Sequence, residues 1–551
     1  MGIKSTTDKL LKGDIASVVL EVKIQFERSL NLIGVVIISL AAMIGSGLFV
    51  LPSFAAEVMG PGIWLAFLLA AIVVLPGAIS KSELASTMPE SGGSYVYIER
   101  TFGPILGTIS GLGLWASFLL KSAFALIGFS AYMYAVTTYF NVTANSLTVA
   151  LSALVLITIL NIFGIKKVKS VQTPILAFTT GLILIICIIQ LFDANIDFSR
   201  PIDGAVDVSK NDPKLLAEAA ALVFVAYAGI IKVGAIGGEV KEPQKNLPSG
   251  ILLSLLFASL LYCFVTFIMM ASVEGTWWMN DDGTAREDPV YAFVDAVAST
   301  KVGIAIAILA VLTMISGALS GVLASSRFLF AMARDNLLPE PLEDVNTKFE
   351  TPHWAIIITG LTMAVCILTL PVKDVAKLAS GFQIMVIIAL NLCVIVLRSA
   401  RFEHDWYHPT FKSPFFPWLQ IVGIISGGYL VYVMGEKAIF GGFAAIVIGV
   451  ATYKLYGRKH YEIRTTPFQT FSKLFSNPTP SELKLRNAAF HAADVYDNNH
   501  LTLSEFISAM KALDIEFTRD EYRVIFHNAD TNRSGVIDID EFLGSFPCEE
   551  E

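Results

Sequence analysis

From residue 31 to residue 457, long apolar runs alternate with short polar breaks. Crossing a bilayer as a helix takes about twenty mostly apolar residues. On that measure the pattern predicts about twelve crossings. They lie near Ile33–Pro52, Ile63–Leu84, Pro104–Tyr134, Leu147–Phe163, Val171–Leu191 and Leu215–Gly237. The second six lie near Ile251–Ala271, Val302–Ala331, Trp354–Leu370, Val375–Leu397, Trp418–Met434 and Gly441–Tyr456. Two runs carry breaks at mid-depth: Gly45, Ser46 and Gly47 in the first, followed by Pro52, and Ala226-Tyr227-Ala228-Gly229 in the sixth. Backbone opened at that depth is tolerated only inside protein or along a cavity. The free N–H groups of a half-helix start then suit a carboxylate. Small residues also let two helices pack closely, and the first stretch alone leaves both readings open. The breaks stand five spans apart, the spacing of two inverted five-helix repeats with a ligand held at their interface. The expected fold is all-α: twelve spans in a five-plus-five inverted repeat with spans 1 and 6 broken, followed by a small cytosolic helical domain.

Composition agrees with that pattern. The chain is 54% hydrophobic with a mean hydropathy of +0.65, values typical of an integral membrane protein. Lys and Arg gather after the even-numbered spans: Lys166, Lys167 and Lys169, Lys241 and Lys245, Arg334 and Lys348, Arg398, Arg401 and Lys412, and Lys454, Arg458 and Lys459. The connections after spans 5 and 7 are longer and rich in Asp. The positive-inside bias therefore puts both termini in the cytoplasm, with the plasma membrane as the expected home. Residues 1–30 are broken up by charge and hold no secretory leader. The five cysteines make no disulfide or zinc pattern. Nothing points to nucleic acid, and no enzyme constellation is present: no phosphate loop, no paired carboxylates in a soluble cleft, no Ser–His–Asp set.

Six short motifs then fall in order over about four hundred residues. Gly45-Ser46-Gly47-Leu48-Phe49 comes first, then Glu83-Leu84 with Pro89-Glu90-Ser91-Gly92-Gly93-Ser94-Tyr95-Val96-Tyr97 and Phe102-Gly103. Asn161 with Gly164 follows, then Glu239-Val240-Lys241-Glu242-Pro243 running on to Pro248. Ser326-Arg327, Ala331-Met332-Ala333-Arg334-Asp335 and Leu337-Leu338-Pro339 end span 8, and Pro414-Phe415-Phe416-Pro417 leads into span 11. Together they resemble the amino acid–polyamine–organocation (APC) superfamily of permeases. The resemblance implies secondary active amino acid transport by alternating access, with a proton favoured as coupling ion. By position, it implies that a substrate carboxylate meets the backbone at Ile44, Gly45, Ser46 and Gly47. The substrate ammonium would meet carbonyls near Val225, Ala226 and Ala228, beside Gly229, with Tyr227 as wall or gate. Ser122 and Gly321 would face the substrate side chain. Relatives often close that side with an aromatic residue, and the small Gly321 and Val225 imply an open one.

Two lysines lie within apolar runs. Lys121 sits mid-span, where a charge costs about 3 kcal/mol on insertion scales. It is a candidate to stand in for a sodium ion, carry a coupling proton or meet a substrate carboxylate, against a snorkelling or fixed structural lysine. Some members of the resembled family place such a lysine in span 5, and the region near Thr179 has none. Lys232, three residues past Gly229, is a second coupling candidate that would reach Glu239 or the cytoplasmic vestibule. Glu83, Glu239 and Arg327 read as charges at the membrane interface. A sensor that binds amino acids with little flux and an amine or polyamine exchanger are the competing readings. The second would want carboxylates at mid-membrane, where lysines stand instead.

The domain plan is a cytosolic segment at 1–30, a transporter at 31–457, a polar linker at 458–480 and a helical pair at 481–551. Asp530, Asn532 and Ser534 supply oxygens at positions one, three and five of a twelve-residue loop. Gly535 allows the sharp turn, Val536 offers a carbonyl, Asp538 holds position nine, and Glu541 is a bidentate candidate at twelve. An earlier loop runs from Asp494 to Glu505, with Asn498, His500 and Thr502 at ligand positions. There Tyr496 replaces a ligand and Asn499 replaces the usual glycine, so a purely structural hand competes with a binding one. Residues 481–546 resemble a paired EF-hand, which implies calcium and no organic cofactor. Calcium would expose an apolar groove able to contact cytosolic loops of the same chain.

Overall fold

The computed structural model describes residues 30–88, 92–142, 145–164, 168–235, 237, 240–346, 349, 351–399, 407–460, 467–468, 488–494, 499–513, 519–530 and 535–544. The segment 1–29, Glu239, most of the linker, Asn498, Asn532 and Ser534 lie outside the described residues. The described chain forms two compact units, a bundle of apolar helices and a C-terminal unit. It is an all-α protein whose only sheet among the described residues is one two-residue pairing.

Among the described residues nine helices are long and apolar enough to cross a membrane, and Ser146–Ile162, His353–Thr369 and Trp418–Val433 are shorter apolar helices. Span 1 starts at Leu32, where the Asn31 side chain accepts the Gly34 N–H at 2.9 Å and satisfies one of the helix's orphan donors. It leaves helical geometry at Gly45 and resumes as Leu51–Met59, with Pro52 in the first turn. Span 6 is helical over Pro213–Val223, tightens to a 3-10 turn at Phe224–Ala228, and continues as Gly229–Ala235. Both interruptions fall on the residues that the hydropathy pattern singled out. Span 1 packs on span 6, span 2 (Ile63–Thr87) on span 7 (Pro243–Ser272), span 3 (Pro104–Tyr139) on span 8 (Thr300–Arg334), and span 4 on span 9. Every one of these pairs is five spans apart, as a two-fold relation between two five-helix units requires.

Three connections hold more structure than the sequence pattern showed. The stretch after span 2 becomes a helix at Ser94–Phe102 once Gly93 has taken a left-handed φ of 52°. The Asp-rich connections contain helices at Ser199–Asn211 and Pro289–Val297. The second is anchored through Tyr132 of span 3, whose hydroxyl donates to Phe49 O at 2.7 Å and accepts the Val290 N–H at 3.1 Å. Beside it Arg286 grips Asp288 at 2.9 and 3.1 Å.

Glu287 lies next to this pair. Burial first, and the Asp288 charge second, push its carboxyl up from the ordinary 4.5 to about 7. A carboxyl raised in the folded state binds its proton more tightly than in the unfolded chain. Its contribution is therefore fully present below the ordinary value and is lost as pH rises through about 7. We expect hydrogen exchange over residues 279–298 to speed up between pH 5.5 and pH 8 by more than the intrinsic chemical rate. In Glu287→Gln that excess should shrink to the intrinsic rate alone. An excess that persists in the variant would assign the effect to another group.

Candidate functional site

The two helix breaks meet at mid-bundle, and span 10 (Val372–Ser399) helps to hold them. The Ser380 hydroxyl donates to Leu222 O at 3.0 Å and accepts the Val225 N–H at 3.1 Å. It thereby satisfies backbone groups that the interruption of span 6 would otherwise leave unpaired in an apolar interior. Lys121 of span 3 bridges the breaks themselves. Its ammonium donates to Ala42 O at 2.7 Å and to Val225 O at 3.0 Å. Charge-assisted hydrogen bonds to two carbonyls offset the cost of placing the ammonium there.

A cavity of about 30 Å³ adjoins this bridge, room for one or two water-sized groups. It is lined by Gly45 and Ser46 of span 1, Lys121 and Ser122 of span 3, Lys232 of span 6 and Gly321 of span 8. Six of the residues singled out from sequence thus share one cavity. Ala41, Ala42, Phe118, Ala125, Met314, Gly317 and Ser320 complete it; of these, Gly317 was legible only as a small residue one helical turn before Gly321, and Ser320 only as its chain neighbour.

Other candidates stand elsewhere. Ile44, Gly47, Val225, Ala226, Ala228 and Gly229 are not in the lining. A Cβ at Gly47 would come within 3.0 Å of Ala226 Cβ and 2.9 Å of the Tyr262 hydroxyl, so this glycine sets the close approach of spans 1 and 6. Tyr227 is not in the cavity lining. It turns towards span 2, where its hydroxyl donates to Phe67 O at 2.9 Å, and its ring meets Tyr262 edge-on at 5.4 Å. Two carbonyls expected to meet a substrate ammonium already accept hydrogen bonds from the protein, Val225 O from Lys121 and Ala226 O from Tyr262 at 3.4 Å. A Cβ at Gly321 would strike the Ser122 hydroxyl, so that position of the cavity is closed. Gly317 has open space where its Cβ would be. Lys232 turns into the cavity and donates to Ser320 Oγ at 2.9 Å.

Two charges near the end of span 2 are buried. Lys81, which sequence reasoning passed over, is fully buried and donates to Ile231 O at 2.6 Å and Ser94 Oγ at 3.0 Å. It ties the second half of span 6 to the helix after span 2. Glu83, read as an interfacial charge, is also fully buried and accepts from the Ser413 N–H and hydroxyl at 2.7 and 2.6 Å. The signal for both was the polar run Ser80-Lys81-Ser82-Glu83, two turns inside a helix that continues to Thr87.

In the C-terminal unit, the two loops are joined by an antiparallel pairing of His500 with Asp538 and Leu501 with Ile537. Phe490, Phe506, Tyr522, Phe526 and Phe542 form the core beneath them. Asp530 Oδ2 accepts the Gly535 N–H at 2.9 Å, and Gly535 takes a φ of 81°. The same geometry repeats in the first loop, where Asp494 Oδ2 accepts the Asn499 N–H at 2.7 Å and Asn499 takes a φ of 58°. Asparagine therefore makes the turn that glycine usually makes. Glu505 Oε2 accepts from the Thr502 N–H and hydroxyl at 2.9 and 2.7 Å, and Glu541 Oε2 from the Asp538 N–H at 3.2 Å. All these donors are hard oxygens, the chemistry of a calcium site. Among the described residues no three acidic or imidazole side chains converge on one point.

Residues 30–455 match the amino acid permease family, and residues 482–546 match the EF-hand domain pair. The chain belongs to the amino acid permease family. It is 29% identical to a branched-chain amino acid permease of Bacillus subtilis, over 79% of this chain and 94% of that protein. It is 27% identical to a serine/threonine exchanger of the same organism, over 78% and 96%. A methylthioribose transporter of Bacillus subtilis is 28% identical over 79% and 94%. The permease is thus an integral, multi-pass membrane protein with transporters as its relatives. To their length it adds an EF-hand pair.

Proposed function

We propose that the permease is a secondary active amino acid transporter that works by alternating access and is regulated by calcium at its EF-hand pair. The single observation that carries the reading is the Lys121 bridge between the breaks of spans 1 and 6, set on a cavity at mid-bundle. Half-helices that meet at the repeat interface are where this architecture holds substrate. The substrate carboxylate meets the opened backbone at Gly45 and Ser46, and its side chain extends past Ser122 towards Gly317. Lys121 makes the same contacts that a cation coordinated by backbone carbonyls would make, so loading and unloading its proton couples transport to a proton gradient. Residues 31–457 transport, 458–480 link, and 481–551 sense calcium, with both termini in the cytoplasm and the plasma membrane as the site of action. Asp530, Val536, Asp538 and Glu541 would hold calcium, and Asp494, His500, Thr502 and Glu505 form the weaker hand. Bound calcium supplies a charge that draws the carboxylates of a loop together and exposes an apolar groove.

The test is uptake of a panel of radiolabelled amino acids into liposomes that contain the full chain, with free calcium set on the side of the C-terminal unit. We expect accumulation against a gradient when a proton gradient is imposed, collapse on adding a protonophore, and a change of rate with calcium. Binding without flux under every gradient would overturn the transporter reading in favour of a sensor.

A further inference from the structure

We infer that the permease holds a hydrated divalent cation, magnesium by size and donor set, in a second cavity where spans 5 and 7 end. The cavity measures about 190 Å³ and shares no lining residue with the one at mid-bundle. Three helix ends meet there. Gln190 closes span 5 (Val168–Gln190), Ser272 closes span 7, and Ala296 and Val297 close the helix Pro289–Val297. The last turn of a helix carries carbonyls without intrahelical partners and the negative end of the helix dipole. Among the described residues the carbonyls of Ser272, Ala296 and Val297 accept no hydrogen bond.

The side chains call for the same charge. Gln190, Asp193, Asn195 and Ser272 bring polar groups to the cavity, and no lining residue is basic. Gln190 is 8% exposed, and among the described residues its amide has no hydrogen-bond partner. Ser272 Oγ is buried and also without one, as is Oδ1 of Asp295, the chain neighbour of Ala296. Buried polar atoms are ordinarily satisfied by protein, water or an ion. Asp193 Oδ1 accepts the Asn195 N–H at 2.8 Å, which fixes this carboxylate at the cavity. Arg200 donates to Val273 O at 2.8 Å, next to Ser272, and is paired with Glu274 at 3.2 Å and Asp197 at 3.6 Å, so its charge is met by two carboxylates. One carboxylate in the lining is too few to strip an ion of its water. Magnesium keeps several waters and is bound through one or two carboxylates. Roughly six waters take up about 180 Å³, close to the space present. The bound ion ties the end of the helix Pro289–Val297, whose start is held by Tyr132, to spans 5 and 7.

Hydrogen exchange of the full chain in detergent is followed from zero to about 10 mM magnesium chloride, with sodium chloride keeping the ionic strength constant. We expect slower exchange over residues 186–197, 268–274 and 289–298, half complete at about 1 mM. Magnesium on the EF-hand pair would appear separately, within residues 482–546. Asp193→Asn, a change on an exposed residue, should raise the half-point at least about tenfold, and Gln190→Leu should do the same. Melting of the metal-free variants at the wild-type temperature shows that they fold. No magnesium-dependent change in the three segments overturns the inference. So does protection that is unaltered in Asp193→Asn, or that sodium alone gives equally. Transport is not part of the readout, so each of these failures leaves the transporter reading standing.

Discussion

We expect uptake by Lys121→Met to fall by about a hundredfold and what remains to lose its response to a proton gradient. Methionine has nearly the length and volume of lysine, so packing around span 3 changes little. The donors are lost. Ala42 O and Val225 O, which now accept at 2.7 and 3.0 Å, are left facing a thioether at mid-bundle. A buried acceptor without its partner costs about 1–3 kcal/mol, and two of them amount to roughly one and a half to four orders of magnitude in the population of the bridged arrangement, so a hundredfold sits near the low end. In the proposed transport cycle the bridge joins two elements that move relative to the scaffold, so its loss should show in flux more than in folding. Uptake and gradient dependence are measured with the melting temperature as control. A Lys121→Met protein that transports at the wild-type rate with its proton dependence intact would falsify the coupling role.

Membrane depth was legible in the sequence, and direction around each helix was not. Hydropathy depends on how many apolar residues stand in a row, and it placed most spans to within about five residues, although the helix of span 7 starts at Pro243, well before the expected Ile251. Small residues at mid-run weaken a helix whatever its neighbours, so the breaks at Gly45 and after Val223 could be read directly. A span surrounded by protein on one side and lipid on the other has little polar contrast, and the azimuth of a side chain is then set by its neighbours. Tyr227 illustrates this: the residue lies at the break, and its ring follows Tyr262 away from the cavity. Gly321 and Gly317 differ by one helical turn, and only the position of Ser122 on the facing span tells the closed one from the open one. Lys81 and Glu83 sit where snorkelling is the ordinary outcome. They are buried because Ser94, Ile231 and Ser413, far apart in the chain, are folded over that end of span 2. The EF-hand loops were the most legible part, because each ligand position is set by a local turn and needs no distant neighbour.

We expect Glu541→Gln to weaken calcium binding by about a hundredfold and to remove the proposed effect of calcium on uptake. The second loop has a carboxylate or a carbonyl at each described ligand position, namely Asp530, Val536, Asp538 and Glu541. Its turn is already formed, with the Gly535 N–H held at 2.9 Å by Asp530. Glu541 stands at the twelfth position, where such loops take two oxygens from one carboxylate, and affinity in them spans several orders of magnitude with ligand charge and number. It must leave the Asp538 N–H to do so. That movement starts the helix carrying Phe542, whose ring packs on Phe490 at 5.5 Å and Phe506 at 6.0 Å. A ligand change in the second loop thus reaches the shared core, and through the pairing of Leu501 with Ile537 it reaches the first loop as well. Glu505→Gln, in the loop where Tyr496 replaces a ligand, should shift affinity by less than about tenfold. Calorimetry on the full chain in detergent gives both affinities, and uptake at set free calcium gives the response. Calcium affinity that is equal in Glu541→Gln and wild type would remove the second loop as the sensor. Lost affinity with an unchanged calcium response would place the regulation elsewhere in the chain.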